Sequence, residues 1–522
     1  MRVLQRSLIV VVVAGAFAGL RTLSAADKAP PKPGKNMIEN ARAFRNELLA
    51  DPHRPGYHFV VPESLSAPLD PNGAIYWKGR YHLFYLYGRG GRIWAHVSSR
   101  DLFHWRQHPH ALVPTERYEG GSCWSGDSFV AGDKAAILYW GKGGVTCLAT
   151  SADDDLTTWK KYAKNPVIPG RPPKGARPED RGVWEWSPGG KWYGDKAPCA
   201  WKEGDTWYCI RGGKLPGKGD TVFLFKSPDL VNWKYLHPFY EPKRKWTFPD
   251  DDNACPDFFK IGDKHMLLFI SHRRGCQYYL GRYEKERFIP EIHGKMSWVD
   301  NEFFAPDSLL DDKGRRIMWA WIFDRRARPA RGASGWSGTM SLPRVLTLGK
   351  DGKLLMNPPK EIEKLRYNPI ARTKLTVKTD SELKLKGISG KSIELVLEIA
   401  PGKGAAQFGV KVCCSADGKE QTLVYYDAAE KKLKVDTTKS GPQGARKIEA
   451  GPLELKAGES LKFRVFVDKS VVEVFANNGR QAVTRRIYPS PDNAASVALF
   501  SKGGPATATS VKAWDIMPSN PY

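Results

Sequence analysis

The sequence lacks several features that mark common classes of protein. Its eight cysteines show none of the paired short spacings that hold zinc. After residue 20, no apolar run is long enough to span a membrane. The formal net charge of +25 comes from lysines and arginines spread evenly along the chain, without an arginine-rich run. These absences argue against a zinc protein and a nucleic-acid-binding protein, and they favour a generally basic surface, with attraction to an anionic glycan as a weaker alternative.

The N-terminus carries a short apolar stretch. Arg2 and Arg6 precede the run from residue 8 to residue 20, and small residues surround Ala26. This order is typical of a secretory signal peptide, so we predict that residues 1–26 are removed and that the protein is secreted or periplasmic. An uncleaved membrane anchor is the alternative. Export permits disulfides, but most cysteines lie in or beside apolar strand-like runs, and buried free thiols are at least an equal expectation.

A β unit repeats along the chain. A turn with glycine followed by an aromatic-rich strand occurs five times, at intervals of roughly 50–70 residues. The turn glycines are Gly79, Gly132, Gly204, Gly262 and Gly314. Three units also contain the motif Asp-Leu-x-x-Trp. Because one four-stranded blade cannot bury both of its faces alone, the repeat predicts a five-bladed β-propeller, which we place at residues 54–346.

The segments around the propeller have other patterns. Residues 27–53 are predicted as a linker with a short helix at 37–49, and residues 347–366 as a second linker. From 367 to 522 short alternating strands return, which is typical of a β-sandwich. The predicted fold class is therefore all-β, a five-bladed propeller followed by a C-terminal β-sandwich.

Ordered motifs run through both β regions. They are Leu69–Tyr76, Trp94–Trp105, Cys123–Gly126, Asn165–Ile168, Cys255–Asp257, Phe304–Asp307, Gly335–Arg344 and Phe463–Asn477. In this order they resemble the motifs of glycoside hydrolase family 32, which contains invertases, levanases and inulinases. The resemblance covers roughly residues 54–516.

The resemblance implies a carbohydrate substrate, a set of site residues and no metal or organic cofactor. Family members are retaining hydrolases, in which two carboxyl groups lie about 5–5.5 Å apart across the scissile bond. Asp70, in Leu-Asp-Pro-Asn-Gly, matches the nucleophile. The expected substrate-binding residues are Asn72, Trp94, Trp124, Ser125, Asp127 and Asp257.

The chain departs from the family at the other catalytic positions. Ala254 stands where the family has its acid/base glutamate, and Ala197 where it has a stabilising aspartate. Leucines 69 and 86 also replace polar pocket residues. Since residues two apart in a strand share a face, we predict Asp252 as a relocated acid and Asp195 as a relocated stabiliser. Other candidates for the acid are Glu179, Asp180, Glu185 and His272.

Two further interpretations stay open. Without its acid, the protein would be a carbohydrate-binding protein in which Trp94, Trp124 and Trp336 offer stacking faces. Alternatively, it hydrolyses an arabinose-type furanoside. We favour a β-fructofuranosidase-like glycosidase, because Asp70, Ser125 and Asp257 all match the family motifs.

Overall fold

The computed structural model describes most of the chain. The described residues are 35–61, 70–88, 91–170, 196–215, 217–249, 251–327, 331, 334–491 and 495–520. The predicted signal peptide, Asp195 and the acid candidates at 179, 180 and 185 lie outside them. Helix α1, Lys35–Ala50, covers the segment predicted to be helical. None of the described helices is long and apolar enough to cross a membrane.

Five antiparallel sheets form the blades of a β-propeller, as the repeat predicts. Blade 1 contains β1 (Pro71–Trp77), β2 (Arg80–Tyr87), β3 (Ile93–Ser99) and β4 (Trp105–Leu112). Blade 2 contains β5 (Gly126–Ala131), β6 (Lys134–Trp140), β7 (Thr146–Ser151) and β8 (Lys160–Lys161). Blade 3 contains β9 (Pro198–Glu203), β10 (Thr206–Leu215), β11 (Gly219–Ser227) and β12 (Lys234–Pro238). Blade 4 contains β13 (Ala254–Ile261), β14 (Lys264–Ser271), β15 (Gly275–Glu284) and β16 (Arg287–Lys295). Blade 5 contains β17 (Phe303–Leu310), β18 (Arg316–Ile322), β19 (Thr339–Met340), β20 (Arg344–Leu348) and β21 (Leu354–Asn357).

The first strands of the five blades surround a central channel and are joined by hydrogen bonds. Each bond links one first strand to that of the next blade, and blade 5 is linked back to blade 1. These bonds join Ser128 Oγ to Gly73 O, Asp127 Oδ2 to Ala200 N, Cys199 Sγ to Phe258 N, Asp257 Oδ2 to Ser308 Oγ, and Asp307 Oδ2 to Ala74 N. Because buried polar groups need partners, this ring of bonds fixes the relative position of the blades around the channel.

The Asp-Leu-x-x-Trp motifs form one kind of turn in three blades. Leu102, Leu156 and Leu230 all have left-handed backbone conformations, with φ of 74°, 52° and 67°. In blades 1 and 3 the motif aspartate accepts backbone N–H groups of the turn. In blade 2 this role passes from Asp155 to Asp153. The aspartate bonds stabilise a backbone that leucine rarely adopts by itself.

The C-terminal region is a β-sandwich of two six-stranded antiparallel sheets. One sheet has the order β22 (Arg366–Val377), β33 (Ala506–Ile516), β24 (Ser392–Pro401), β29 (Leu461–Asp468), β30 (Val471–Ala476) and β31 (Gln481–Arg486). The other has the order β23 (Ser381–Ser389), β32 (Ser496–Lys502), β25 (Gln407–Cys414), β26 (Gln421–Asp427), β27 (Lys432–Lys439) and β28 (Ile448–Pro452). The apolar faces of the two sheets form a separate core.

Two details differ from the sequence prediction or extend it. The propeller does not end at residue 346, because Leu354 and Met356 of β21 are buried in the propeller core. That same core includes Phe466 and Phe475 of the sandwich, so apolar packing joins the two domains. All eight cysteines are free, in agreement with buried thiols rather than disulfides.

Candidate active site

Asp70 lies directly before β1, at one end of the channel. Its main-chain oxygen accepts a hydrogen bond from Leu86 N (3.0 Å). Its Oδ2 accepts one from Ser125 Oγ (2.9 Å), and the Cys255 thiol lies 3.8 Å away. Burial raises the pKa of Asp70, while the Ser125 bond and the charge of His272 act in the opposite direction. The carboxyl group is therefore held by donors from blades 2 and 4.

Bulges give three of the first strands the same shape. Register shifts follow Asn72 in β1, Ala254 in β13 and Phe304 in β17. The residue after each of these has a positive φ: 51° at position 73, 46° at 255 and 46° at 305. At position 73 glycine is required, because a Cβ would lie 2.9 Å from the Trp94 ring. Such bulges redirect the side chains beside them, and they align the ends of blades 1, 4 and 5.

This alignment places Asp252 in blade 4 where Asp70 is in blade 1. Both residues lie three positions before the positive-φ residue. Continuing the strand register sets Asp70 opposite Leu86 and Asp252 opposite His272. The structure therefore puts two carboxyl groups at equivalent positions at one end of the channel.

Asp252 and His272 form an ion pair. His272 Nδ1 lies 2.6 Å from Asp252 Oδ2, and the His272 N–H donates to Asp252 Oδ1 (3.1 Å). Burial would raise the pKa of Asp252, but the hydrogen bonds and charge of His272 lower it below its ordinary value. A lowered pKa describes a carboxylate that accepts hydrogen bonds, not an acid that holds a proton near neutral pH.

The two positions at which the sequence predicts the loss of catalytic groups are apolar. Ala254 is 4% exposed and packs with Ile270, Phe304 and Ala305. Ala197 is also 4% exposed. Neither methyl group can transfer a proton or bind a hydroxyl, so any such chemistry must come from neighbouring residues.

Three carboxyl groups lie deeper in the channel, those of Asp127, Asp257 and Asp307. Burial and the charge of Asp257 raise the pKa of Asp127 to about 7. Burial raises the pKa of Asp257, and burial together with the other two charges raises the pKa of Asp307 well above its ordinary value. Among the described residues, no group of three or more His, Cys, Asp and Glu is arranged to hold a metal ion. Hydrogen bonds between the blades hold these carboxyl groups, and their raised pKa values favour the protonated form.

Several predicted substrate-binding residues are buried. Trp94 is 0% exposed and donates its Nε1–H to Trp124 O (3.0 Å), so the prediction that it offers a stacking face is wrong. The same holds for Trp336, which is 1% exposed and lies beneath the guanidinium groups of two arginines. Asn72 is 1% exposed, which leaves its amide no surface for a sugar. Strand alternation predicts a face, but the neighbouring blade decides whether that face is covered.

An aromatic pair remains partly open beside Asp70. Trp124 and Trp140 meet edge to face, with ring centroids 5.7 Å apart. Arg92 lies over Trp124 (5.9 Å) and Lys196 over Trp140 (5.6 Å). Lys196 lies near enough to Asp252 to lower the pKa of that carboxyl group. Two cations and two indole rings thus lie close to the paired carboxyl groups.

Sequence reasoning did not assign roles to several of these residues. Cys255, Lys196 and Arg92 lacked a distinguishing signal, because each is placed by a turn or by the end of a strand. Asp307 had one, since Pro306-Asp307 repeats Pro256-Asp257 of the preceding blade. The repeat marks equivalent channel positions in blades 4 and 5.

Comparison with known proteins agrees with this architecture. The family model described as "Glycosyl hydrolases family 32 N-terminal domain" matches residues 58–359, and "Glycosyl hydrolases family 32 C terminal" matches residues 361–515. A fructan 6-exohydrolase of Beta vulgaris is 27% identical, over 89% of this chain and 87% of that protein. A sucrose-6-phosphate hydrolase of Zymomonas mobilis is 28% identical, over 93% of this chain and 97% of that protein.

A solved structure extends the similarity to three dimensions. The crystal structure of fructan 1-exohydrolase IIa from Cichorium intybus superposes with a TM-score of 0.78 at 25% identity, covering 90% of this chain and 98% of that one. The two family models together match nearly all of the described β structure. The chain therefore belongs to glycosyl hydrolase family 32, a family of glycosidases.

Proposed function

We propose that the protein hydrolyses a β-fructofuranosidic bond, in a fructan or a sucrose-like substrate, with retention and with Asp70 as the nucleophile. The observation that carries this proposal is the setting of Asp70, at the end of the channel with Ser125 and Cys255 as donors. The names of the relatives support the substrate class, since they include fructan exohydrolases, levanases and sucrose-6-phosphate hydrolases.

The donors around Asp70 suit a nucleophile. Burial and the charge of Asp70 raise the pKa of Cys255 well above its ordinary value, so the thiol keeps its proton as a donor. Two donors on one carboxylate oxygen fix its direction and leave the other oxygen for attack on the anomeric carbon. Bond formation to Asp70 and departure of the sugar oxygen then give a glycosyl-enzyme, which water hydrolyses.

Other residues near Asp70 would bind the sugar. Trp124 and Trp140 offer apolar ring surface, and Lys196 offers a donor beside it. We retain Asp195, next to Lys196 in the sequence, as the candidate group for holding sugar hydroxyls.

The test uses the purified full-length protein and its Asp70→Asn variant on sucrose, inulin, levan and an arabinan. We expect the parent to release reducing sugar from a fructoside, and the variant to be slower by on the order of 10³-fold or more. Asp101→Asn, in an exposed turn of blade 1, is the matched control and keeps the parental rate. Equal rates for the parent and Asp70→Asn would refute the assignment.

The apolar surroundings of Ala254 favour a second candidate, a carbohydrate-binding protein without hydrolysis. The same panel separates the two functions. Measurable binding of a fructan by calorimetry, together with no sugar release from any substrate, would replace the first proposal with the second.

We also propose that the protein is exported. The basic and apolar residues at the N-terminus support this proposal. A relative from Pisum sativum, 28% identical, also supports it, because its name describes a cell wall isozyme. N-terminal sequencing of the protein recovered outside the cytoplasm tests this, with a new terminus near residue 27 expected and an intact Met1 opposing it.

A further inference from the structure

We propose that His272 is the general acid and base of the reaction, and that Asp252 is its positioning residue. This inference rests on the proposed function and completes it, because the position of the family's glutamate is occupied by Ala254. It changes the role predicted for Asp252 from the sequence, which was that of the acid itself.

The first support is position. Blades 1 and 4 have equivalent bulges, so Asp252 and His272 correspond to Asp70 and Leu86. The His272 charge reaches Asp70, because it lowers the pKa of that carboxyl group. The side chain of His272 is 53% exposed, which leaves its ring accessible to a substrate above the channel.

The second support is the chemistry of the pair. A carboxylate whose pKa lies below its ordinary value can only accept hydrogen bonds, so the hydrogen between the two side chains belongs to His272 Nδ1. This fixes the tautomer and leaves Nε2 as the nitrogen that can exchange a proton with substrate. A carboxylate on Nδ1 also stabilises the imidazolium, which is how aspartate serves histidine in hydrolases of other folds.

Among the described residues, the groups that contact His272 hold its ring in place, and none of them bonds to Nε2. The ring meets Phe304 edge to face, with centroids 5.8 Å apart. The main-chain oxygen of His272 accepts a hydrogen bond from Asn301 Nδ2 (3.1 Å), and the side-chain oxygen of Asn301 accepts one from Arg325. The charged groups that act on the pair are Asp70, Lys196 and, through Asn301, Arg325.

The reaction balances with these groups. In the first step Asp70 bonds to the anomeric carbon, the glycosidic C–O bond breaks, and His272 Nε2–H protonates the departing oxygen. In the second step neutral His272 takes a proton from water, the water oxygen bonds to the anomeric carbon, and the ester bond to Asp70 breaks. Imidazolium and carboxylate are restored, and the net change is the addition of one water molecule.

The experiment compares two substrates in His272→Ala and Asp252→Asn. One is sucrose, whose leaving oxygen needs a proton, and the other is 4-nitrophenyl β-D-fructofuranoside, whose nitrophenolate leaves without one. We expect His272→Ala to lower kcat/KM on sucrose by about 10²- to 10⁴-fold and on the aryl substrate by less than about 10-fold, because kcat/KM reports the first step, in which the leaving oxygen takes the proton. Asp252→Asn is expected to lower kcat/KM on sucrose by about 10-fold or more, with the same protection of the aryl substrate.

His104→Gln provides the matched control. His104 pairs with Asp101 through Nδ1 at 2.8 Å, as His272 pairs with Asp252, but in a surface turn. This variant is expected to keep the parental kcat and kcat/KM on both substrates. Circular dichroism and the unfolding midpoint check that each variant is folded.

The outcomes separate the two levels of the proposal. Loss of sucrose and aryl hydrolysis in Asp70→Asn, combined with parental sucrose rates in His272→Ala, would overturn the role of His272 and leave the proposed function in place. Equal losses of kcat/KM on both substrates in a folded His272→Ala would also overturn it, since the acid acts on the leaving group in the first step. A parent that cleaves neither substrate would overturn the proposed function and this assignment with it.

Discussion

Asp468 gives the sharpest test of how the two domains are held together. It is the last residue of β29, is 0% exposed, and accepts four hydrogen bonds from residues 56–58. Oδ1 accepts from Gly56 N (2.6 Å), and Oδ2 accepts from Tyr57 N (2.8 Å), His58 N (2.7 Å) and His58 Nδ1 (2.9 Å). One sandwich carboxylate thus fixes the segment that leads into the propeller.

A second carboxylate continues this network. His58 Nε2 lies 3.7 Å from Glu473, which accepts a hydrogen bond from Arg344 of blade 5 (3.0 Å). Burial would raise the pKa of Glu473, but the charges of Arg344 and His58 lower it to about 2. The buried charges are therefore paired across the boundary between the domains.

We predict that Asp468→Asn lowers the free energy of unfolding by about 3–5 kcal/mol. The amide keeps the shape of the carboxylate, but its NH₂ group must face at least one donor: Gly56 N if the amide oxygen keeps the three donors of Oδ2, and those three donors if it does not. A hydrogen bond to a charged group contributes about 1.5–3 kcal/mol, and removing one partner of a buried ion pair costs about 3–5 kcal/mol. The predicted change is smaller than the sum of these two contributions, because residues 56–58 can relax around the amide.

Guanidinium chloride unfolding, followed by circular dichroism and tryptophan fluorescence, measures this change. The control is Asp417→Asn, the same substitution in an exposed turn, which should leave the curve unchanged. If the Asp468→Asn curve superposed on that of the parent, the network would not be what holds the domains together.

The pH dependence provides a second measurement on the same variant. Burial lowers the pKa of His58, but the hydrogen bond to Asp468 and the charges of Asp468 and Glu473 outweigh it and raise the pKa above 6.5. The stabilisation from this group is complete below pH 6.5 and is lost as the pH rises through the raised pKa. In Asp468→Asn this alkaline decline should become smaller, and an unchanged decline would contradict the assignment.

Three further predictions concern single sites. Burial, followed by the charge of His108, lowers the pKa of His82 to about 4, so the free energy of unfolding should fall by about 3 kcal/mol as the pH drops from 6.5 to 4. His82→Phe should reduce this pH dependence in urea titrations, and an unchanged pH dependence would show that His82 is not its source. Gly126→Ala would place a Cβ 2.0 Å from Leu138 O, so its unfolding free energy should drop by about 1–3 kcal/mol, with no drop indicating that β5 can shift freely. Six of the eight free cysteines are buried, so a thiol reagent should count eight groups only after denaturation, and a reductant should leave the unfolding midpoint unchanged; a lower midpoint would reveal a disulfide.

The fold followed from the sequence because its signals are local and repeated. Turn glycines and aromatic strands recur once per blade, and each unit needs neighbours to bury its faces. The Asp-Leu-x-x-Trp turns are local too, since each aspartate bonds N–H groups within five residues of itself. The Asp70 motif, and the alanines at the two positions where the family resemblance predicts catalytic groups, could likewise be read from the chain alone.

What the tertiary structure decided depends on pairs of residues far apart in the sequence. Strand alternation placed Asp252 on the face of Ala254, but only the register of β13 and β14 put it opposite His272. Trp94 looked like a stacking residue until the neighbouring blade covered it completely. The burial of a side chain and the residues that contact it depend on how strands and blades pack together. The strand pattern could therefore predict which face of the sheet these side chains lie on, but not which residues contact them there.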